Sequence, residues 1–398
     1  MEEFMADGTI RRSYEDSHPW IKFSFDTNRL NHKIWLLLGE AQSKFEHIKG
    51  APLLPNTMRH MLRVYLAKGA LATTAIEGNT LTEMEVEKRI QGELELPPSK
   101  EYLGQEIDNV VAAYNLIGKQ LLDTDFPDKL SVEQIKEYNR LVLNNLPMDD
   151  YVIPGELRTY SVGVARYRGV PSEDCEYLLN KYVNWLNDEF IFPADQKVIY
   201  GILKAILANI YFVWIHPFGD GNGRTARLIE FQILLSVGAP AIAAHLLSNH
   251  YNQTRSEYYR NLEITSKSGG NVSDFILYAL QGFVDGLRDE IKYIQSQQIA
   301  VHWTNHIHNS FRGKNSKADE RKKELMLEIS KVEQKKYSLD EIRHVTARVA
   351  EMYATISGRT LSRDIEELVE MDLLIKIDGK YSCNLALLTA YMVPVRDL

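Results

Sequence analysis

The run VIYGILKAILANIYFVW, residues 198 to 214, is apolar almost throughout and stops just before a His-Pro pair. Such a run predicts a buried helix that other elements must cover. Pro217 forces the preceding residue out of helical geometry, so this helix is expected to end near His216. Gly219, Gly221 and Gly223 follow within HPFGDGNGRTAR. They let the backbone turn tightly and bring its N–H groups close to an anion without side chains in the way. A second helix is predicted to begin near Asn222 or Gly223, and its free N–H groups and positive dipole end add to that attraction.

The side chains of this loop supply the remaining parts of a phosphate chemistry. Arg224 and Arg227 are three apart, hence on one helix face, and guanidinium groups so spaced can clamp two neighbouring phosphates. Asp220 offers a hard oxygen for the magnesium that accompanies a nucleoside triphosphate. His216 has an ordinary pKa near operating pH and can take a proton from an attacking hydroxyl. No GxxxxGK[ST] pattern occurs, so a P-loop does not explain the phosphate site.

Around this centre the chain reads as mainly α. Apolar residues recur at helical spacing from Arg59 to Ile76, stopping at Glu77 and Gly78. Further helices are predicted over 105–122, 131–143, 173–187, 197–214, 224–237, 256–267 and 274–296. TYSVGVARYRGVP, residues 159 to 171, alternates around glycines and predicts a short hairpin. Residues 298–324 are charged with few large apolar side chains and read as a linker. Beyond it, helical patterns at 325–333, 338–354 and 360–371 precede an Asp-Gly hairpin, which suggests a small winged helix-turn-helix. The expected organisation is 1–100, an N-terminal helical region; 101–297, a catalytic core; 298–324, a linker; and 325–398, the winged-helix domain.

The chain has 398 residues, enough for two or three domains, and a formal charge of -8. That charge argues against a surface built throughout to hold nucleic acid. Two distant cysteines, no apolar leader and no apolar run approaching ~20 charge-free residues lead to an expectation of a cytoplasmic protein without a membrane span.

HPFGDGNGRTAR is similar, position for position, to the HxFx[DE]GNGRxxR signature of Fic-domain proteins. The resemblance implies an α-helical bundle that moves AMP from Mg-ATP to a Ser, Thr or Tyr hydroxyl of a target protein. It implies His216 as general base and Asp220 as magnesium ligand. Gly221, Asn222 and Gly223 would form the anion hole with Arg224 on the phosphates; Phe218 would be core, and Arg227 the γ-phosphate partner. GELR, residues 155 to 158, with the hairpin at 162–170 resembles the family's flap, which holds a target segment by main-chain pairing. EYYRNL resembles the helix beside the adenine, with Tyr258, Tyr259 or Leu262 in that pocket.

TTAIEGN, residues 73 to 79, resembles the family's [ST]xxxE[GN] inhibitory motif, with Thr73, Glu77 and Gly78 in the matching places. A glutamate paired with Arg227 would occupy the guanidinium meant for the γ-phosphate. The resemblance also implies homodimers. Alternative readings are a DNA-associated module in which the loop senses nucleotide, phosphoryl transfer, and removal of AMP by the same site. DNA is disfavoured: nine basic and ten acidic residues lie between Lys335 and Leu398, and 360–371 carries four acids and one arginine. His302, His306 and His308 lack an HExxH pattern and are not assigned a metal.

Overall fold

The computed structural model describes residues 11–123, 129–164, 167–332 and 335–389. Two compact units, Met1–Ile291 and Lys292–Leu398, divide the chain. The first opens with α1 (Ser13–Ser17), α2 (His32–Gly50), α3 (Pro55–Ala75), α4 (Glu83–Gln91), α5 (Glu101–Leu122) and α6 (Val132–Val142). A hairpin of β1 (Gly163–Val164) and β2 (Tyr167–Arg168) follows, then α7 (Cys175–Asn184), α8 (Lys197–Ile215) and α9 (Asn222–Ser236). α10 (Leu246–Gln253), α11 (Arg255–Lys267) and α12 (Ser273–Ser310) complete the series, the division between units falling inside α12.

α8 is the central helix. Leu203, Ile206, Leu207, Ile210, Phe212 and Trp214 are all buried, and the helix packs on α2, α7 and α9. Ala194–Ile215 is long and apolar enough to cross a membrane by length and composition, which the sequence expectation did not allow for; 72% of its apolar 18-residue window is buried inside the fold. The burial accounts for its apolarity, since a core helix needs apolar contacts on every side.

α3 starts with Pro55 at its first position, where the missing N–H costs nothing, and packs on α4, α5, α9 and α10. It ends at Ala75, and Gly78 at φ 115° turns the chain away. That φ lies in the region glycine adopts most readily, so the turn carrying Glu77 is written into the sequence. α4 is then restarted by a capping box between Thr82 and Glu85.

The second unit contains α13 (Lys317–Lys331), α14 (Leu339–Arg343), α15 (Ala347–Met352), α16 (Gly358–Glu370), β3 (Leu374–Ile377), β4 (Lys380–Cys383) and α17 (Ala386–Thr389). β3 and β4 pair antiparallel about Asp378 and Gly379, and Tyr337 adds a bridge to Tyr381 on the hairpin's edge. The core gathers Leu325, Met326, Tyr353, Ile365 and Leu368 with Trp303, Ile307 and Phe311.

Two expectations need correction here. Residues 298–324 are no linker: α12 runs to Ser310, and α13 begins at Lys317. Trp303, Ile307 and Phe311 lie at i, i+4 and i+8, an apolar stripe that the polar residues between them concealed in the composition. The single helix expected over 338–354 is two, because Thr346 caps α15 by accepting the Val349 N–H at 3.2 Å and so begins a new helix. His302, His306 and His308 all lie on α12, and no group of three metal-ligating side chains occurs among the described residues.

Candidate active site

His216 ends α8 in the left-handed region, at φ 52° and ψ 59°. That conformation costs a non-glycine residue roughly 1–2 kcal/mol, so neighbouring contacts must hold it. Arg158 does much of this from within GELR. Its Nε donates to the His216 carbonyl at 2.7 Å, and its other nitrogens donate to Tyr160 O at 2.8 Å and Val170 O at 2.5 Å. One buried guanidinium thus ties the α8 exit to both ends of the hairpin. Leu157 and Phe218 form a bridge alongside, with the Arg158 N–H donating to Pro217 O at 3.0 Å.

The imidazole is buried, which holds His216 down to about 4 because the charged form is disfavoured there. Its Nδ1 lies 3.3 Å from the Val213 carbonyl and donates to it. Nε2 is then the free acceptor, in the form a general base requires at neutral pH.

Gly221, at φ 73°, caps α9. Its N–H donates to Asp220 Oδ1 at 2.5 Å. The Asn222 side chain is spent on the loop itself: Oδ1 accepts the Phe218 N–H at 2.9 Å and Nδ2 donates to Phe218 O at 2.8 Å. Its part in an anion hole therefore falls to its backbone N–H, one of the first-turn groups of α9 without an intrahelical partner. Phe218 is buried, as the resemblance implied.

Arg224 and Arg227 have different partners. Arg224 Nη1 donates to Glu106 Oε1 at 2.9 Å, with Asp220 farther off at 3.4 Å. Arg227 is 1% exposed at its side chain; its Nη2 donates to Glu77 Oε1 at 2.5 Å and to Thr73 O at 2.9 Å, and its Nε to Thr73 Oγ1 at 2.8 Å. Burial alone would raise the Glu77 carboxyl, but the charge and hydrogen bond of Arg227 outweigh it and hold Glu77 below the ordinary range. The Glu77 carboxylate also covers Gly223, where an added Cβ would collide with it. An anion thus already lies against the first turn of α9.

Seven of the expected site residues share one cavity of about 340 Å³: Glu77, His216, Gly223, Arg227, Tyr258, Tyr259 and Leu262 line it, with Tyr167 and Trp214. Tyr258 is buried, its hydroxyl donating to Asn209 at 3.2 Å, so it forms the floor. Asp220 instead lines a neighbouring groove of about 940 Å³ with Gly219, Tyr160 and the hairpin residue Gly163. Of the flap expected over 162–170, residues 165 and 166 lie outside the described residues.

Sequence reasoning missed Glu106, Asn79, Asn139 and Tyr167. Asn139 donates to Asp220 O at 2.9 Å and accepts the Gly155 N–H at 2.9 Å, joining the loop to the start of GELR. Glu106 carried a signal, as a carboxylate on the α5 face occupied by Leu103, Ile107 and Val110. Tyr167 had none beyond its place in the hairpin; its hydroxyl donates to Trp214 O at 2.6 Å.

Comparison with known proteins places this geometry. Residues 129–234 match the Fic/DOC family. Protein adenylyltransferase fic-1 of Caenorhabditis elegans is 30% identical over 249 residues, 63% of this chain and 45% of that protein. Protein adenylyltransferase Fic of Nematostella vectensis is 25% identical over 243 residues, 61% of this chain and 52% of that protein. The chain thus spans about half the length of these curated relatives. Among solved structures, a Fic family protein from Desulfovibrio desulfuricans G20 shares the fold at TM-score 0.55 and 18% identity, over 89% of this chain and 96% of that one. Fic-1 from C. elegans gives TM-score 0.55 at 26% identity, over 66% of this chain and 73% of that one. The matched segment contains the GELR contact, the α8 exit and the whole loop through Arg227, and this part of the chain is similar to the domain shared by the Fic/DOC family.

Proposed function

We propose that this protein is an adenylyltransferase that moves AMP from Mg-ATP to a Ser, Thr or Tyr hydroxyl of a protein, itself included, and that Glu77 holds it in a resting state. The observation that carries this reading is the Glu77–Arg227 pair set against the first turn of α9, in the cavity that His216 also lines. A carboxylate there stands where the loop's donors would take phosphate oxygens. The names of the curated relatives support the same activity.

In the reaction, the target hydroxyl oxygen attacks the α-phosphorus while the bond to the departing pyrophosphate breaks. His216, neutral because it is buried, receives the hydroxyl proton at Nε2. Backbone N–H groups at the start of α9, with Arg224, would steady the phosphate oxygens, and Arg227 would take the γ-phosphate once Glu77 has left. Tyr258, Tyr259 and Leu262 would enclose the adenine. A target segment would pair along the hairpin, whose edge backbone is suited to strand addition.

The donor set at the loop fits magnesium. Asp220 presents a carboxylate whose side chain is 54% exposed, and one carboxylate completed by substrate phosphates is a usual arrangement for this ion. When bound, magnesium would neutralise phosphate charge. The second unit's helices, hairpin and Tyr337 bridge support a winged helix-turn-helix, read here as a protein-contact or dimer-supporting module. Buried Cys175 and Cys383, which form no disulfide among the described residues, suit a cytoplasmic setting.

The test is incubation of the purified protein, and of its Glu77→Gly variant, with ATP labelled at either the α or the γ phosphate. Label retained from the α position alone is expected. Label retained from γ alone would replace this reading with phosphoryl transfer, and no label in either variant would sink it.

A further inference from the structure

Arg224 is held on one side only. Its Nη1 donates to Glu106 at 2.9 Å, but its Nη2 reaches the Asp220 oxygens only at 3.4 and 3.5 Å, and its buried Nε has no hydrogen-bond partner. A buried guanidinium with donors to spare is set for an anion that has yet to arrive.

Glu106 does more than neutralise it. The second carboxylate oxygen, Oε2, accepts from Asn79 Nδ2 at 2.9 Å. Asn79 lies two residues beyond Glu77 and shapes the turn that carries it. Its backbone N–H donates to Thr74 O at 3.1 Å, its Nδ2 also to Leu103 O at 2.9 Å, and its Oδ1 accepts the Leu81 N–H at 3.0 Å. Glu106 therefore joins two structures that the sequence separates widely: the α9 arginine and the turn after α3.

The position is a costly one for a carboxylate. The Glu106 side chain is 15% exposed and that of Arg224 5%, on an α5 face otherwise given to Leu103, Ile107 and Val110. Burial pushes the Glu106 carboxyl upward, opposed by Arg224 and by the Asn79 hydrogen bond. A charge in such a place persists only when its oxygens are satisfied, and each of the two has its own partner.

We propose that Glu106 is a positioning residue with two duties: one oxygen aligns Arg224 for the triphosphate, and the other pins the turn that holds Glu77 against Arg227. Arginine alignment and inhibition then share a single carboxylate. This rests on the nucleotide-transfer reading above. It adds that the inhibitory glutamate is fastened from behind as well as by Arg227, and that losing the fastening at Asn79 releases the turn while leaving Arg224 aligned.

The test separates the two duties. In the Glu77→Gly background, Glu106→Gln is expected to weaken Mg-ATP binding by about tenfold in titration calorimetry, since the charge-assisted bond orienting Arg224 is lost. With Glu77 intact, Glu106→Gln is expected to speed amide hydrogen exchange at residues 76–82. Asn79→Ala is expected to speed the same exchange and raise α-label incorporation, yet leave Mg-ATP affinity within about twofold in the Glu77→Gly background. A merely structural role would move both readouts together in both variants. Unchanged ATP affinity in Glu106→Gln, or unchanged exchange in Asn79→Ala, overturns the proposal. Should Glu106→Gln fail to fold, the Asn79→Ala result decides alone. Failure of the wider reading shows separately, as no rise in α-label for Glu77→Gly alone, while the affinity comparison still stands.

Discussion

Each unit of this protein contains an arginine paired with a carboxylate across distant segments, and the two pairs are built differently. In the second unit Arg321 meets Asp364 through two bonds, Nε to Oδ2 at 2.7 Å and Nη2 to Oδ1 at 2.9 Å. Tyr353 donates a third at 2.9 Å to the same carboxylate, whose side chain is 1% exposed. In the first unit Glu77 meets Arg227 through one oxygen at 2.5 Å, and here the arginine is the buried partner, at 1%, while the glutamate is 31% exposed beside a cavity. The first kind of pair cannot open without stranding a buried carboxylate. The second can, because water or phosphate reaches the glutamate's side and the arginine keeps its bonds to Thr73. Similar chemistry serves as a rivet in one place and, in the proposed function, as a latch in the other.

Breaking the comparison at its chemical end gives the largest effect. His216→Ala in the Glu77→Gly background is expected to lower α-label incorporation by about 10²–10⁴-fold, the usual worth of a general base. Retention of most of the released activity would mean that the latch opens onto some other catalyst. Breaking the rivet comes next. Arg321→Ala is expected to cost the second unit about 3–5 kcal/mol, because it leaves the buried Asp364 carboxylate without its charge partner. Hydrogen exchange across α13 and α16 reads this directly, and protection equal to wild type would show that the pair is dispensable.

The smallest effect sharpens the chemistry beside the latch. Burial depresses His216 to about 4, so the base is lost only as pH falls through that value. The rate of label transfer should therefore show no acid limb from His216 between about pH 8 and pH 5. The negative charge of Glu77 pulls this pKa upward, so in Glu77→Gly the limb should lie lower still. An apparent pKa of kcat/KM at or above the ordinary histidine value would contradict a buried, neutral base.

Much of the site was legible because its chemistry is local. The apolar run fixed α8, Pro217 its end, and the glycines the loop, so His216 and the start of α9 could be assigned from neighbours along the chain. Glu77 was legible only by resemblance, since its partner is 150 residues away. Glu106 was not assigned at all, because a polar residue on an apolar helix face announces burial but not its partner, and Asn79, in the turn after α3, has its partner on a distant helix. The same limit explains residues 298–324. Trp303, Ile307 and Phe311 carry a helical stripe, but their polar neighbours outnumber them, and composition outweighed spacing in the reading.

The central claim is that Arg227 is contested between Glu77 and the nucleotide. It is tested most directly by the initial rate of α-label incorporation in wild type and in Glu77→Gly at equal Mg-ATP. The account predicts a rise of about tenfold or more in the variant, equivalent to about 1.4 kcal/mol or more of inhibition removed. An equal or lower rate in Glu77→Gly would contradict it.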